Sequence, residues 1–325
     1  MGNNNLSMIV ELKKKAKLSS NCIERMKLYY KAAELDDIEA IEETVKLAPF
    51  IYNSGWENKC GLNIDKVLEY INRLSDSEDV EIIKEISNFY FYQRNYTKAL
   101  KYLKKAAEFG DAASMVQIAD NYFLGDIIKE DYKEAFYWYM RAAKLGFSIG
   151  MKQVGMMYYK GRGVKRNKKQ GLKWTLRALI TDARKGDLLS MLSIADMYYD
   201  GDLIKQNHDK AMRWYKKSIE IHDYAEPMYK IGDMYKRGEG VKQDYKKAMQ
   251  WYEKAATSSS NGRNIAMDKI AMMYENGEGF KEDFFKALTW YKKAAELGDE
   301  FAKNKLEEFE EEGLINSVEE LNNKS

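Results

Sequence analysis

Five tyrosines in this chain are each followed by a tryptophan 16 residues later. The pairs are Tyr122 and Trp138, Tyr158 and Trp174, Tyr198 and Trp214, Tyr235 and Trp251, and Tyr274 and Trp290. From each tryptophan to the next tyrosine the spacing instead varies, being 20, 24, 21 and 23 residues. A constant spacing followed by a variable one is typical of a two-helix unit whose halves pack together and whose connection to the next unit tolerates insertions.

Composition favours helices for this repeat. Only Pro49 and Pro227, among 325 residues, are prolines, which break helices most strongly. The chain is longer than one compact core usually supports, so a stacked array accommodates it better. The hydrophobic share is 45%, and no apolar run approaches the roughly 20 residues of a membrane helix. We therefore predict an all-α chain without membrane insertion.

Two blocks of the sequence share 14 of their 24 residues. Asp233 to Ala256 reads DMYKRGEGVKQDYKKAMQWYEKAA, and Met272 to Ala295 reads MMYENGEGFKEDFFKALTWYKKAA. Over residues 81–303 the chain resembles the Sel-one-like repeat family, whose units have a Leu-Gly-x-x-Tyr helix end, a Gly-x-Gly-Val turn and a Lys-Ala-x-x-Trp-Tyr-x-Lys-Ala-Ala helix. The resemblance implies a right-handed α-α superhelical solenoid of antiparallel helix pairs, similar to tetratricopeptide repeats. Departures from the pattern are Ile127 and Leu203 in the turn, and Gly171 and Thr175 in the second helix.

The repeat pattern divides the chain into four regions. These are an irregular helical N-terminal region with a degenerate repeat (1–80), a short tetratricopeptide-like repeat (81–112), five Sel-one-like repeats (113–303), and an acidic capping helix with a frayed tail (304–325). In the first region Arg25 to Ala40 resembles a second helix, and Pro49 to Leu62 reads as a loop because asparagine, serine and glycine cluster there. Trp56, inside that loop, has no repeat role.

Three further patterns predict how the repeats are built. A polar residue stands seven positions before each second-helix aromatic and is expected to cap that helix: Asn95, Asp131, Asn167, Asn207, Asp244 and Asp283. One methionine recurs in each first helix and is interpreted as core: Met115, Met151, Met191, Met228 and Met267. We also expect each repeat tryptophan to be buried.

The residues that usually carry catalysis are scarce. His208, His222, Cys22 and Cys60 show neither metal-ligand spacing nor the spacing of a nucleophile and its base. We therefore expect no enzyme activity, no metal and no cofactor. One alternative stays open from the resemblance, because cysteine-rich family members have been linked to β-lactam binding or hydrolysis. Neither cysteine fits the paired pattern of those members.

Charge gives no sign of a nucleic-acid ligand. The net charge is +2, from 53 basic and 51 acidic residues. The densest basic stretch is confined to one turn and lacks interleaved aromatics: Lys160, Arg162, Lys165, Arg166, Lys168, Lys169 and Lys173. No secretory pattern opens the chain, and two isolated cysteines favour a reducing compartment. We predict a cytoplasmic protein.

The resemblance implies a concave surface lined mainly by first helices, where a partner protein or peptide would bind. Two positions of each first helix supply the candidate contacts. One is the residue directly after the repeat tyrosine, and the other is the residue two positions before that tyrosine. They are Phe91, Phe123, Tyr159 and Tyr199, with Asp120, Asp196 and Asp233. Our hypothesis is that they grip an extended or helical segment carrying apolar and basic side chains. The alternative is that these rings simply pack on the adjoining helix.

Overall fold

The computed structural model describes residues 2–311 and 313–314, which form α-helices and no strand. The chain divides into two compact units, residues 1–175 and 176–325. The first contains α1 (Gly2–Leu18), α2 (Cys22–Ala33), α3 (Ile38–Asn53), α4 (Glu57–Cys60), α5 (Ile64–Arg73), α6 (Val80–Tyr92), α7 (Tyr96–Glu108), α8 (Ala112–Leu124), α9 (Tyr132–Lys144) and α10 (Ser148–Lys160). Helix α11 (Lys168–Arg184) crosses the division. The second contains α12 (Leu188–Asp200), α13 (His208–Ile221), α14 (Ala225–Arg237), α15 (Tyr245–Ala256), α16 (Arg263–Glu275), α17 (Phe284–Glu296) and α18 (Glu300–Glu311).

Helices α8 to α17 are the five predicted helix pairs, so the all-α prediction is confirmed. In each pair the N–H of the residue that caps the second helix donates to the carbonyl of the repeat tyrosine nine residues earlier. These bonds join Asp131 to Tyr122, Asn167 to Tyr158, Asn207 to Tyr198, Asp244 to Tyr235, and Asp283 to Tyr274, at 2.8–2.9 Å. The turn therefore has one length in every unit. Because the tryptophan always lies seven residues after the cap, its spacing from the tyrosine is constant.

The predicted N-caps of the second helices are confirmed. The side chains of Asn95, Asp131, Asn167, Asn207, Asp244 and Asp283 each accept a hydrogen bond from a backbone N–H two or three residues later. Such a bond satisfies a first-turn donor that has no partner within the helix. A polar residue at this position therefore decides where each second helix begins.

The aromatic residue buried deepest in most hairpins is the tyrosine directly after the tryptophan. Tyr139, Tyr215, Tyr252 and Tyr291 are at most 1% exposed. Trp138 is buried, but Trp174, Trp214, Trp251 and Trp290 are half-buried, so the expectation of buried tryptophans is wrong for those four. A basic side chain lies over the tryptophan ring in four units: Arg141 over Trp138, Lys217 over Trp214, Lys254 over Trp251 and Lys293 over Trp290, at 4.3–5.2 Å. This cation–π contact covers the outer face of the indole.

The predicted methionine core is confirmed for Met115, Met151, Met191 and Met228, while Met267 is half-buried.

One hairpin departs from the others where Thr175 replaces the buried tyrosine. A Cβ atom added at Gly155 of α10 would lie 2.6 Å from Oγ1 of Thr175 and 3.0 Å from the carbonyl oxygen of Gly171. Helices α10 and α11 therefore approach closely, and the two unusual residues of α11 are the ones that make room.

The second glycine of the turn touches the preceding repeat. A Cβ atom at Gly240 would lie 2.6 Å from Cβ of His208, and one at Gly279 would lie 2.2 Å from Cβ of Tyr245. Both glycines have positive φ, at +70° and +77°, which other residues adopt only under strain. The turn of one unit thus presses against the start of the second helix of the unit before it.

Two expectations for the N-terminal region are wrong. Pro49 to Leu62 is not a loop, because α3 continues through Pro49 to Asn53 and α4 forms within the remainder. Side-chain burial of Pro49 and Ile51 outweighs the hydrogen bond that a proline cannot donate. Trp56 directly precedes α4 without a capping hydrogen bond from its side chain, and it packs edge-on against Phe50, with ring centroids 5.8 Å apart.

Arg25 to Ala40 is likewise not one helix. Helix α2 ends at Ala33, Asp36 has a φ of 69°, and the side chain of Asp37 caps α3 by accepting from the N–H of Ala40. The aspartate pair was the signal for two helices. At the other end α18 forms and buries Phe309, while residue 312 and residues 315–325, where the frayed tail is predicted, lie outside the described residues.

Candidate functional site

A buried tyrosine and an acid on the paired first helix meet in four hairpins. The hydroxyl of Tyr215 donates to Asp196 at 2.5 Å, that of Tyr252 to Asp233 at 2.7 Å, and that of Tyr291 to Glu275 at 2.6 Å. The hydroxyl of Tyr139 donates to Asp120. Burial acts first, and the charge and hydrogen bond of the adjacent carboxylate act next, to raise the pKa of all four tyrosines above the usual range. The phenols therefore stay protonated donors.

Three of these acids, all in residues 176–325, also bind a lysine from the next first helix. Lys230 of α14 lies 2.7 Å from Asp196 of α12. Lys269 of α16 lies 2.9 Å from Asp233, and Lys305 of α18 lies 3.3 Å from Glu275. Successive first helices of residues 176–325 are thus joined by ion pairs. The candidate acids Asp196 and Asp233 already have partners within the chain.

Asp120 differs from those acids. Its carboxylate accepts the Tyr139 hydroxyl, and within residues 2–311 it has no ion pair. Burial raises the pKa of Asp120, and the hydrogen bond from Tyr139 only partly offsets that effect. Gln153 stands where Lys230 and Lys269 stand in their units, directly before the recurring isoleucine or valine.

The predicted aromatic contacts lie in different surroundings. Phe91 is half-buried and packs on Tyr96, with centroids 6.2 Å apart. Phe123 lies edge-on to Tyr132 and Tyr139, at 5.3 and 6.4 Å. The contacts of Phe91 and Phe123 agree with packing on an adjoining helix, the alternative stated above, and they leave both rings partly exposed.

The other two predicted aromatic contacts, Tyr159 and Tyr199, differ in how freely their rings could meet a partner. Tyr159 is 49% exposed, with the ammonium group of Lys168 5.7 Å from its ring centroid. Tyr199 donates to Glu239 at 2.5 Å and stacks on the imidazole of His208 at 5.3 Å. Tyr159 therefore offers a partner the most open aromatic surface, whereas Tyr199 is held by its own chain.

Part of the basic stretch already makes contacts within the chain. The guanidinium of Arg162 lies over Phe123 and Tyr132, at 5.6 and 5.5 Å, and Nε of Arg166 donates to the carbonyl of Tyr159 at 3.1 Å. Because Arg162 covers rings of the preceding unit and Arg166 binds a carbonyl of its own unit, both are less available to a phosphate backbone.

Residues with reactive side chains do not converge. Nε2 of His222 lies 2.7 Å from the carbonyl of Gly186, and His208 stacks on Tyr199. Burial raises the pKa of the Cys60 thiol, which makes it a weaker nucleophile at neutral pH. Within the described part of the chain, no three His, Cys, Asp or Glu side chains form a group that could hold a metal ion.

Sequence reasoning missed Tyr139 and its equivalents as partners of the acids. The signal was present within the repeats. The unit that has Thr175 in place of the tyrosine also has Met156 in place of the acid, and such paired replacement is expected of two side chains in contact. The last unit has Met272 at the acid position but keeps Tyr291, which donates to Glu275 three residues later.

Capped helix hairpins that contact their sequence neighbours define an α-helical repeat protein. The profile of the Sel1 repeat family matches residues 26–37, 90–111, 112–147, 148–179, 188–222, 227–260 and 264–299. The chain therefore belongs to the Sel1 repeat family, and the resemblance is confirmed. Proteins built from these repeats generally mediate protein–protein interaction.

Solved structures show the same fold. The protein c5321, a protective antigen present in uropathogenic Escherichia coli strains and displaying an SLR fold, is 24% identical, with a TM-score of 0.55 over 93% of this chain and 63% of that one. A Sel1 repeat protein from Oxalobacter formigenes is 21% identical, with a TM-score of 0.53 over 94% of this chain and 88% of that one. This chain thus spans less than two thirds of the length of c5321. A comparison with curated proteins gave no match. No helix within the described residues is long and apolar enough to cross a membrane.

Proposed function

We propose that this chain is a non-catalytic cytoplasmic scaffold or adaptor that binds a segment of another protein through its first helices. One observation carries the proposal. On the first helices of residues 113–175, Asp120 lacks an ion pair and Tyr159 is half exposed, whereas the acids at the corresponding position in residues 176–325 are already paired with lysines. We therefore propose that the surface formed by Asp120 and Tyr159 contacts another molecule.

The chemistry of this surface supports an interaction with a polypeptide. Phe123 and Tyr159 supply aromatic area at low cost in side-chain entropy, and Asp120 supplies a hydrogen-bonding charge. Protein interfaces are enriched in such aromatic residues and pair them with a few fixed polar groups. Residues 113–175 therefore suit a segment with apolar and basic side chains better than a nucleic acid.

Affinity capture from the source cell tests the proposal. The tagged chain is compared with a Phe123→Ser and Tyr159→Ser double variant and with Tyr159→Ser alone, which changes an exposed ring. Tyr137→Ser is the matched control, since Tyr137 of the second helix α9 is 52% exposed. We expect Tyr137→Ser to retain the captured partner, and the double variant to lose it while keeping its helical circular-dichroism spectrum.

Equal capture by all variants would contradict the proposal. A β-lactam hydrolysis assay on the purified wild-type chain addresses the enzymatic alternative. We expect no turnover, because neither Cys22 nor Cys60 lies in the five full repeats. Turnover abolished by Cys60→Ser would replace the scaffold with an enzyme.

A further inference from the structure

We infer that Asp120 and Tyr139 form a seat for one lysine side chain of a partner segment. The inference rests on the proposed function and makes it specific, because it names the side chain that the partner inserts. It also explains why one acid of the repeat series has no ion pair.

Two filled copies of the seat show its geometry. Lys230 lies 2.7 Å from Asp196 and 5.7 Å from the ring centroid of Tyr215. Lys269 lies 2.9 Å from Asp233 and 6.0 Å from the ring centroid of Tyr252. In both, an ammonium group meets a carboxylate and the ring of the tyrosine that donates to the same carboxylate. The chain itself thus shows which side chain this arrangement accepts.

In the unit of Asp120 the equivalent carboxylate and the equivalent tyrosine are present, but in the described part of the chain no cation pairs with them. Tyr139 is buried and donates to Asp120, as Tyr215 and Tyr252 do to their acids. The next first helix supplies Gln153, which has no charge. No lysine or arginine of the described residues forms an ion pair with Asp120.

Electrostatics favours a cation in this position. Asp120 is half-buried, and burial weakens the hydration that would stabilise its charge. An ammonium group from a partner would restore that stabilisation and be bound in return. Arg162 cannot supply it in place, because its guanidinium lies over Phe123 and Tyr132 instead.

Phe123 completes the seat. Its ring is 6.4 Å from that of Tyr139 and 65° from parallel to it. Phe123 is partly exposed and gives an apolar surface for the methylene groups of a lysine, which bury their stem while the charged end meets the carboxylate. A lysine between apolar residues is therefore the expected element of the partner.

An array of peptides tests the seat without a known partner. Each peptide carries one lysine between apolar residues, and its pair carries acetyl-lysine at that position. We expect the wild-type chain to bind lysine peptides at least ten-fold more tightly than their acetylated pairs. Asp120→Asn should remove this difference.

The decisive variant is Gln153→Lys, which would let the chain fill its own seat as Lys230 and Lys269 do. It should reduce binding of the lysine peptides at least ten-fold and leave the fold intact. Ser193→Lys is the charge-matched control, since Ser193 is exposed and holds the same position in α12, where the sequence one unit earlier has Met156 in place of the aspartate. It should bind like the wild type.

Absence of lysine-dependent binding, or equal loss in both lysine variants, would overturn the seat. The two proposals fail separately. A partner captured by the wild type and by Gln153→Lys, but lost by the Phe123 and Tyr159 double variant, would support the scaffold and reject the seat. No capture, together with lysine-dependent peptide binding that Gln153→Lys removes, would support the seat and reject the scaffold.

Discussion

Asp268 places a carboxyl group in the core of residues 176–325, beside the start of the last helix. Its side chain belongs to α16, the residue is 7% exposed, and its Oδ1 has no hydrogen-bond partner among the described residues. The neighbouring acid is Asp299, whose carboxylate accepts from the N–H of Ala302 at 3.0 Å and from the amide of Asn264 at 2.6 Å. Two carboxyl groups thus share a site that contains one set of donors.

The proton of this pair resides on Asp268. Burial, then the charge and hydrogen bond of Asp299, raises the pKa of Asp268 to about 7, with Lys269 opposing. Burial also acts on Asp299, but the Ala302 and Asn264 hydrogen bonds outweigh it and lower the pKa of Asp299. Asp299 therefore stays ionised and Asp268 stays protonated in mildly acidic solution.

The stability of this region should fall as the pH rises towards neutrality. Below the usual pKa of 3.8, Asp268 is protonated in both states. Between that pH and about 7 it is ionised only in the unfolded chain, so unfolding releases a proton and is favoured by higher pH. At about 1.4 kcal/mol per pKa unit, the full effect is about 4 kcal/mol, reached above pH 7.

Asp268→Asn tests this sign and size, because an amide cannot ionise and can still donate to Asp299. The free energy of local unfolding is measured by hydrogen exchange of the α16 and α18 amides, corrected for intrinsic rates. We expect the variant to exceed the wild type by about 4 kcal/mol at pH 8.5 and by less than half of that at pH 5.

Asp187→Asn is the control, since Asp187 caps α12 by accepting from the N–H of Ser190, as Asp299 caps α18. It should not change the pH dependence of α16 and α18. The reasoning is refuted if Asp268→Asn and the wild type lose stability in parallel between pH 5 and pH 8.5.

Three further substitutions test how the repeat is held together. Tyr215→Ala should lower the free energy of unfolding by about 3–5 kcal/mol, and by more than Trp214→Ala does, since Tyr215 is fully buried. Urea denaturation measures both losses, and equal losses would contradict this burial argument. Gly279→Ala should lower the melting temperature more than Gly298→Ala, because both have positive φ but only Gly279 meets a neighbour at 2.2 Å. Asn207→Ala should cost about 1 kcal/mol, seen as faster hydrogen exchange in the first turn of α13, and an unchanged rate would deny it a capping role.

Local sequence was enough to predict where the second helices begin. Asn207 and Asp244 cap their helices because the bond to a first-turn N–H involves residues only three positions apart. It was not enough for the N-terminal region, where Pro49 lies inside α3. Burial against distant residues decides that helix, and neighbouring residues do not reveal it.

The candidate surface was predictable only in part. Asp120, Asp196 and Asp233 were recognised as equivalent positions, and their periodicity places them on one side of the first helices. Which of these acids lacks an ion pair could not be predicted from the sequence of a single unit. It depends on the next first helix, which places a lysine beside Asp196 and Asp233 and has Gln153 at the corresponding position after Asp120.

The sequence alone determined the repeat, its helical class and its family, because these depend on spacings and caps that act over a few residues. Tertiary structure decided the rest. It made the tyrosine after each tryptophan the deepest aromatic, and it brought acids, tyrosines and lysines from three helices together. The physical reason is that burial and ion pairing act between residues far apart in the chain, whereas helix capping and turn length are set by residues close together in the sequence.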